Sequence, residues 1–498
     1  YLASDPGTRA ILMYAESIKA ARKFMSAARA AARNKPLIVV KAGRAPQGAK
    51  AAASHTGALA GSDAVFDAAA QRAGMLRVGT LEALFDAAQT LSNAQPWRGE
   101  RLAMLTNGGG AGVLAADALE LGGGTLARLE TPTLQALSAC LPPIWSHGNP
   151  VDIIGDAPVA RYEDALRILM DAPEVDGVLF MHAPTAIVGS AQIAAACLPL
   201  MRQAAKPVLL SWLGGGAVQQ ARQLTAQSSL PSYSTPERAV AAWLQLAAYA
   251  RNQEALKQLP SVALDDFQPD VAAADGLARQ AQEAGQEWLD ATQSHALLRA
   301  YGIPSIETVR VHNVEEAVAQ AVRLGFPVAL KIVSPQIVHK SDVGGVVLNL
   351  PNAQAVEDAA RTMLDTVARV LPEAQVLGFT VQAMAQRVQA HEFIVGIASD
   401  PVFGPVVLFG EGGVAVELRA QHAVALPPLN AVLAGDLVTR SGLRPLLAGY
   451  RGRAAANEHA VLDTLAKVSQ MACDLPWLAE LDINPLLVDA QGVLALDA

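Results

Sequence analysis

Cysteine is scarce: Cys140, Cys197 and Cys473 are the three in 498 residues, far apart and without a Cys-x-x-Cys spacing. They make neither a zinc site nor a disulfide framework, and a reducing cytoplasm suits them, so a cytoplasmic location is expected. Long Lys/Arg blocks are lacking too, and the formal net charge is −8. A broad nucleic-acid surface is therefore not expected, which leaves room for a local basic pocket that takes phosphates. No signal peptide is visible, and no apolar stretch approaches the ~20 residues that span a bilayer. The runs that come nearest, Pro36–Val40 and Val406–Phe409, have strand length. No membrane partner is expected. Sequence repeats and low-complexity tracts are also missing. The chain opens on Tyr1 without a methionine and stops at Asp497-Ala498 after a strand-like run, so further domains are expected on either side.

What is present is a globular composition, 52% hydrophobic and 17% charged. A chain this long exceeds one core, and two to four domains of roughly 100–200 residues are expected. The first part alternates short apolar runs with helical ones. Ile11–Tyr14 and Pro36–Lys41 read as strands, and Ile18–Arg33, Ala64–Arg72 and Thr80–Leu91 as helices. That alternation predicts a parallel sheet with helices on both faces. Gln95-Pro96-Trp97-Arg98-Gly99 breaks it and marks a boundary. A second α/β unit begins at Arg101–Thr106, continues through Gly177–Met181 and Pro207–Trp212, and ends with a helix over Pro236–Tyr249. The Gln-, Ala- and Asp-rich stretch that follows predicts a partly helical connecting arm. The last part is β-rich with Gly-Gly and Phe-Gly turns and fewer long helices, an α+β domain. The expected domains are 1–96, 97–252, an arm at 253–286, and 287–498.

A first site is centred on a loop that follows a buried strand and precedes a helix, where open α/β sheets place ligands. It contains Ser54-His55-Thr56-Gly57. His55 lies between two hydroxyls, and Gly57 and Gly61 permit close backbone approach to an anion. An imidazole there can act as a nucleophile and split a phosphoryl transfer into two steps; a loop histidine that hydrogen-bonds its neighbours fits the same pattern. Glu16, at the end of the first strand, is placed to accept an imidazole N–H and fix which nitrogen attacks, or to cap the helix that begins near Ile18. In the second unit, Asn107-Gly108-Gly109-Gly110 links a strand to a helix. Gly108, Gly109 and Gly110 would present free N–H groups and a positive dipole end to a phosphate. The turn fits neither a Rossmann fingerprint nor a Walker A loop, and a plain strand–helix turn explains it equally well.

A second site is expected in the last domain. Gly325-Phe326-Pro327-Val328-Ala329-Leu330-Lys331 puts a lysine at the end of an apolar strand, where it can hold nucleotide phosphates. His339-Lys340-Ser341-Asp342-Val343-Gly344-Gly345 reads as a loop that closes over them, with Lys340 a second cation. Val381-Gln382-Ala383-Met384 leads to a polar edge, where the backbone of Gln382 and Met384 would bind an adenine, and Glu392 starts the next strand. Glu417, Asp482 and Asn484 are strand-borne oxygens that suffice for Mg²⁺ alongside phosphates and water.

These motifs together resemble the NDP-forming acyl-CoA synthetases, the superfamily of succinyl-CoA synthetase and ADP-forming acetate–CoA ligase, over nearly the whole chain. The resemblance implies two flavodoxin-like, succinyl-CoA synthetase-type parallel-sheet domains followed by an α+β ATP-grasp domain. It makes Ser54–Gly57 the phosphohistidine loop and Glu16 its stabilising glutamate. Lys331 becomes the phosphate lysine, and Glu417, Asp482 and Asn484 the metal positions. His339 matches a second histidine that carries the phosphoryl group between sites. The implied reaction joins a small acid, acetate first, to coenzyme A at the expense of ATP, which becomes ADP, with Mg²⁺ and in a homo-oligomer. The family's N-terminal CoA-binding domain is not in the sequence, so weak CoA affinity is expected. Gly410–Gly413 and Ala425–Asn430 look closest to a bacterial subgroup in which a GNAT acetyltransferase follows, as in Pat-type lysine acetyltransferases. There the synthetase region acts as an acyl-CoA sensor, and several members have lost the first histidine. Retention of His55, Glu16 and His339 favours a working synthetase over a sensor. A carboxylate–amine ligase of the wider ATP-grasp class would leave the His55 loop without a role.

Overall fold

A computed structural model describes the chain except for residues 46, 48–61, 94–98, 259, 261–266, 338–339, 388, 414–420 and 450–453. Two compact units divide it: Tyr1–Ala60 with Ala70–Lys257, and Gly61–Ala69 with Gln258–Ala498.

The first unit holds two parallel sheets. Strands β1 (Ile11–Ala15), β2 (Leu37–Lys41) and β3 (Leu76–Val78) pair in that order. The second sheet is built from β4 (Arg101–Thr106), β5 (Thr125–Leu126), β6 (Val151–Asp152), β7 (Gly177–His182), β8 (Val208–Trp212) and β9 (Ser232–Tyr233). Its order is β5-β4-β7-β8-β9, with β6 also beside β4. β2, β7 and β8 are buried along their whole length, as strands covered on both faces must be, and they read as uninterrupted apolar runs for that reason.

The helices divide between the faces of the second sheet. Residues of helices Thr131–Cys140, Val159–Asp171 and Ser190–Gln203 pack in one core with Phe180 and Trp212. Residues of Gly109–Leu121 and Pro236–Lys257 pack in another. That second core also takes Ile38, Val40, Leu76 and Val78 of the first sheet and Leu84, Ala87 and Leu91 of helix Leu81–Asn93. The two sheets therefore share one apolar interior. Arg238 of the long helix adds a bidentate ion pair to Asp86 at 2.8 Å.

The long helix runs to Lys257, eight residues beyond the predicted end. The predicted arm contains a helix, Val271–Glu283, capped by Asp270, whose side chain accepts from the Ala273 N–H. The second unit carries two sheets. One has the order β10-β13-β11-β12, built from β10 (Thr308–Val311), β11 (Val328–Val333), β12 (Val346–Leu350) and β13 (Gly378–Ala383). The other has the order β16-β15-β14-β17-β18, from β14 (His391–Asp400), β15 (Gly404–Glu411), β16 (His422–Ala425), β17 (Leu481–Asp489) and β18 (Gly492–Ala495). Their pairings are antiparallel. The expectation of few long helices fails here: Ala353–Val370 has 18 residues and Glu458–Asp474 has 17. Both bury an Ala- and Val-rich stripe at helical spacing, Val356, Ala360, Met363 and Val367 in the first.

Candidate functional site

The described residues of the first unit form two neighbourhoods at the carboxyl ends of its strands. Glu16 directly follows β1. The Tyr14 hydroxyl donates to Glu16 Oε1 at 3.2 Å, and that bond pushes the Tyr14 phenol up from its usual range. The buried Lys41, last residue of β2, donates to the Glu16 carbonyl at 3.3 Å and to that of Ala42 at 2.8 Å. The carboxylate is thus held by a neighbour and its backbone by a lysine. Glu16 does not cap a helix: the helix begins at Ala21, with Ala20 at the cap position and no side-chain cap bond. Ser54, His55 and Gly57 lie outside the described residues.

The glycine turn follows β4. Gly108 is the extended cap residue and the helix starts at Gly109. The Gly108 N–H donates to Thr106 Oγ1 at 3.1 Å, which bends the chain out of the strand. A Cβ on Gly110 would meet nothing within 4 Å, whereas one on Gly109 would lie 3.0 Å from Asp152 Oδ2. A ligand at this helix end meets open space above Gly110 and a carboxylate beside Gly109. The helix after β4 and the helix after β7 pack on opposite faces of the sheet, so the crevice between these strands is its topological switch point. Asn107 spans it: its side chain donates to the Ala183 carbonyl and accepts from the Ala183 N–H, both at 2.8 Å. Beneath lies an arrangement absent from the sequence reading. His182, fully buried, bonds Tyr162 Oη and Ser190 Oγ, each at 3.0 Å. Burial lowers its pKa to about 4, so the ring is neutral and locks the end of β7.

In the second unit Lys331 sits in β11, side chain 10% exposed, and pairs with Asp497 Oδ2 at 2.9 Å. Sequence reasoning passed over Asp497 as a chain end, and 166 residues of separation gave no signal of the pair. Backbone bonds fix it: the Asn484 N–H donates to the Asp497 carbonyl at 3.2 Å and the Leu496 N–H to that of Pro485 at 3.1 Å. Asp497 thereby joins Lys331 on one sheet to Asp482 and Asn484 on the other. Partial burial raises the pKa of Asp482, and the negative charges of Glu480 and Asp497 raise it further. A carboxylate disfavoured by like charges is an environment that a divalent cation relieves, but among the described residues no group of three or more His, Cys, Asp or Glu is gathered to hold one. Glu417, the remaining predicted metal residue, lies outside the described residues.

Other predicted nucleotide contacts divide. Ile332 N–H donates to the Gly345 carbonyl and Gly345 N–H to the Lys340 carbonyl, each at 2.8 Å, which folds the Lys340–Val343 turn onto the end of β11. A Cβ on Gly345 would meet Ile332 at 2.6 Å and the Lys340 carbonyl at 2.9 Å, so this closure requires glycine. His339 lies outside the described residues. Gln382 offers no open edge: β13 is flanked by β10 and β11, and the Gln382 amide donates to Thr308 Oγ1 at 2.6 Å and the Leu496 carbonyl at 3.3 Å. Met384, just past the strand, donates its N–H to the Pro327 carbonyl at 3.0 Å. Glu392 is exposed beside Gly413, whose N–H donates to Asn484 Oδ1 at 2.9 Å. Among the described residues no helix is long and apolar enough to cross a membrane.

Three families match the sequence: the succinyl-CoA ligase like flavodoxin domain over residues 1–91, the ligase-CoA domain over 102–257 and the ATP-grasp domain over 280–498. The acetate–CoA ligase [ADP-forming] I of Archaeoglobus fulgidus is 36% identical over 499 aligned positions, 100% of this chain and 70% of the relative. The 4-hydroxybutyrate–CoA ligase [ADP-forming] of Nitrosopumilus maritimus is 32% identical, over 99% of this chain and 70% of the relative. A solved structure of the Ca. Korarchaeum cryptofilum dinucleotide forming acetyl-coenzyme A synthetase 1 with phosphate and ADP is 35% identical, covering 52% of this chain and 57% of that one at a TM-score of 0.49. With three family matches in series and a relative that aligns with the whole of this chain, the chain belongs to the ADP-forming acyl-CoA ligases of the succinyl-CoA synthetase-like superfamily.

Proposed function

We propose that this chain carries the phosphoryl-transfer centres of an ADP-forming acyl-CoA ligase, with acetate as the first acid to test. The net reaction is acid, CoA and ATP to acyl-CoA, ADP and phosphate, and it runs in both directions. One observation carries the reading: the Lys331–Asp497 pair beside Asp482 and Asn484, in a chain that aligns from end to end with such ligases. Lys331 would hold the nucleotide phosphates. Asp482 and Asn484, with Glu417, would hold Mg²⁺, which when bound neutralises phosphate charge.

In the direction of ATP synthesis, a ring nitrogen of His55 attacks the phosphorus of an acyl phosphate. The P–O bond to the acyl carboxylate breaks, and the free acid leaves as carboxylate. Glu16 would hold the other ring nitrogen and fix the attacking tautomer. His339 would take the phosphoryl group next and deliver it to ADP, with Lys340 steadying its charge. Gly108, Gly109 and Gly110 would receive phosphate at their helix end. Met384 and Glu392 would border the nucleotide, whereas Gln382 would act through the fold alone.

Incubation with γ-labelled ATP and Mg²⁺ should leave acid-labile, base-stable label on histidine, and His55→Ala should lose the label that acetyl phosphate gives. Label from acetyl phosphate that persists in His55→Ala would overturn the site assignment. Nucleotide binding without any label would favour the other reading, a region that senses acyl-CoA and nucleotide for an attached acetyltransferase. His339→Ala should lose labelling from ATP and keep labelling from acetyl phosphate; equal loss by both routes would refute a carrier role.

A further inference from the structure

The helix Ala291–Ala300 buries a residue that the scheme above does not use. His295 is 0% exposed, and neither Nδ1 nor Nε2 has a hydrogen-bond partner among the described residues. Buried polar groups are rarely left in this state, because the bonds lost to water go uncompensated. Burial lowers the ring's pKa to about 4, so it is neutral and carries one N–H donor and one acceptor. The charged groups that act on it are Asp497, Lys331 and Arg299. Arg299 lies one turn along the same helix, and the other two form the 2.9 Å pair described above.

We propose that His295 is a positioning residue of the nucleotide site, a second hydrogen-bond partner for Asp497 that takes over when Lys331 turns to the phosphates. The proposal rests on the reading of Lys331 as the phosphate lysine. Once phosphate oxygens share the three N–H donors of the Lys331 ammonium, its hold on Asp497 weakens. As it turns, the Asp497 carboxylate, whose charge bears on Asp482, loses part of its counter-charge. The backbone of Asp497 cannot follow: its carbonyl accepts from Asn484, and Ala495 is bonded on both sides, to Pro304 and Ile306. Those two residues directly follow the helix that carries His295, so the same short stretch fixes the ring and the strand end. Only the carboxylate is left to change partner, and the ring holds an N–H that nothing else among the described residues uses. No atom is transferred in the exchange; one hydrogen bond replaces another, and the carboxylate stays aimed at the metal oxygens.

The test uses the whole chain with histidine-selective ¹³C and ¹⁵N labels and Mg·ADP as the probe. Nine histidines keep the ring spectrum readable, and the His295 signal is assigned by its loss in His295→Gln. Saturation with Mg·ADP should shift that signal, and Asp497→Asn should abolish the shift. His295→Phe, which fills the space without a donor, should weaken Mg·ADP about tenfold, the worth of one hydrogen bond to a charged group. His295→Gln, which keeps a donor, should stay within about threefold of wild type on the same scale. A ring signal that does not move while Mg·ADP binds would overturn the proposal, as would a folded Phe variant that binds like wild type. If the wild-type chain does not bind Mg·ADP, the nucleotide-site reading falls and this proposal with it. Should the Phe variant fail to fold, the ring signal in wild type and Asp497→Asn still decides the matter.

Discussion

Replacing Lys331 by Met keeps most of the side-chain volume and removes the ammonium from a group only 10% exposed. Two consequences follow with different magnitudes. Deleting one member of a fully buried ion pair costs about 3–5 kcal/mol, but the Asp497 side chain is 35% exposed and solvent compensates much of the loss. The stability cost should therefore be about 1–2 kcal/mol, read as a lower urea midpoint for the second unit. The functional cost is larger. A charge-assisted bond from lysine to phosphate is worth about 1.5–3 kcal/mol, so affinity for Mg·ADP should fall roughly 10- to 150-fold. Titration calorimetry with Mg·ADP on folded Lys331→Met protein measures it directly. Asp497→Asn serves as the control that separates the two consequences, since it frees the ammonium without removing it. If Lys331→Met binds Mg·ADP within twofold of wild type, the lysine does not hold phosphates and the nucleotide site has been placed wrongly.

Two more expectations concern the first unit. Gly177 begins β7, and a Cβ there would lie 2.4 Å from Trp243 Cζ3, so Gly177→Ala should destabilise by about 1–3 kcal/mol through overpacking; a urea midpoint shift worth less than 0.5 kcal/mol would refute the contact. His182 has a pKa lowered from 6.5 to about 4 by burial. The unfolded chain takes up this proton below pH 6.5 and the folded chain does not until about pH 4, so the stabilisation is complete above that window and is lost as pH falls through it. The loss should reach about 3 kcal/mol, and His182→Gln should flatten the stability–pH slope there; an unchanged slope would show that the ring is not the titrating group.

Much of the first unit was legible because fully buried parallel strands announce themselves as short apolar runs. β2, β4, β7 and β8 lie within a residue of the segments read from sequence. β3, with three residues, and β5, β6 and β9, with two each, were not, since they exist only through pairing with a longer neighbour. The helix Val271–Glu283 lies in the arm expected to be partly helical, but its ends could not be placed, because its buried face is made of Ala274 and Ala281, too small to stand out from an Ala- and Gln-rich stretch. Glu16 could be found from its place at a strand end and Lys331 as a lysine in an apolar run, although β11 continues two residues past it to Val333. Asp497, His182 and His295 could not: each is defined by partners or missing partners far off in sequence, which no local spacing encodes. Gln382 shows the converse error, for a polar residue at a strand end read as a ligand edge, while the strand proved central in its sheet.

The interior shared by the two parallel sheets bears on how the molecule comes apart. Leu84 and Leu91 of the helix Leu81–Asn93 pack in one cluster with Trp243 and Leu246 of the long helix, so neither sheet can lose its order without exposing the other's apolar face. The first two family segments therefore amount to one cooperative block, and they should lose their order in one transition. The same constraint acts on evolution. Recombination could hardly part these two segments, which have to vary together to keep a common filling.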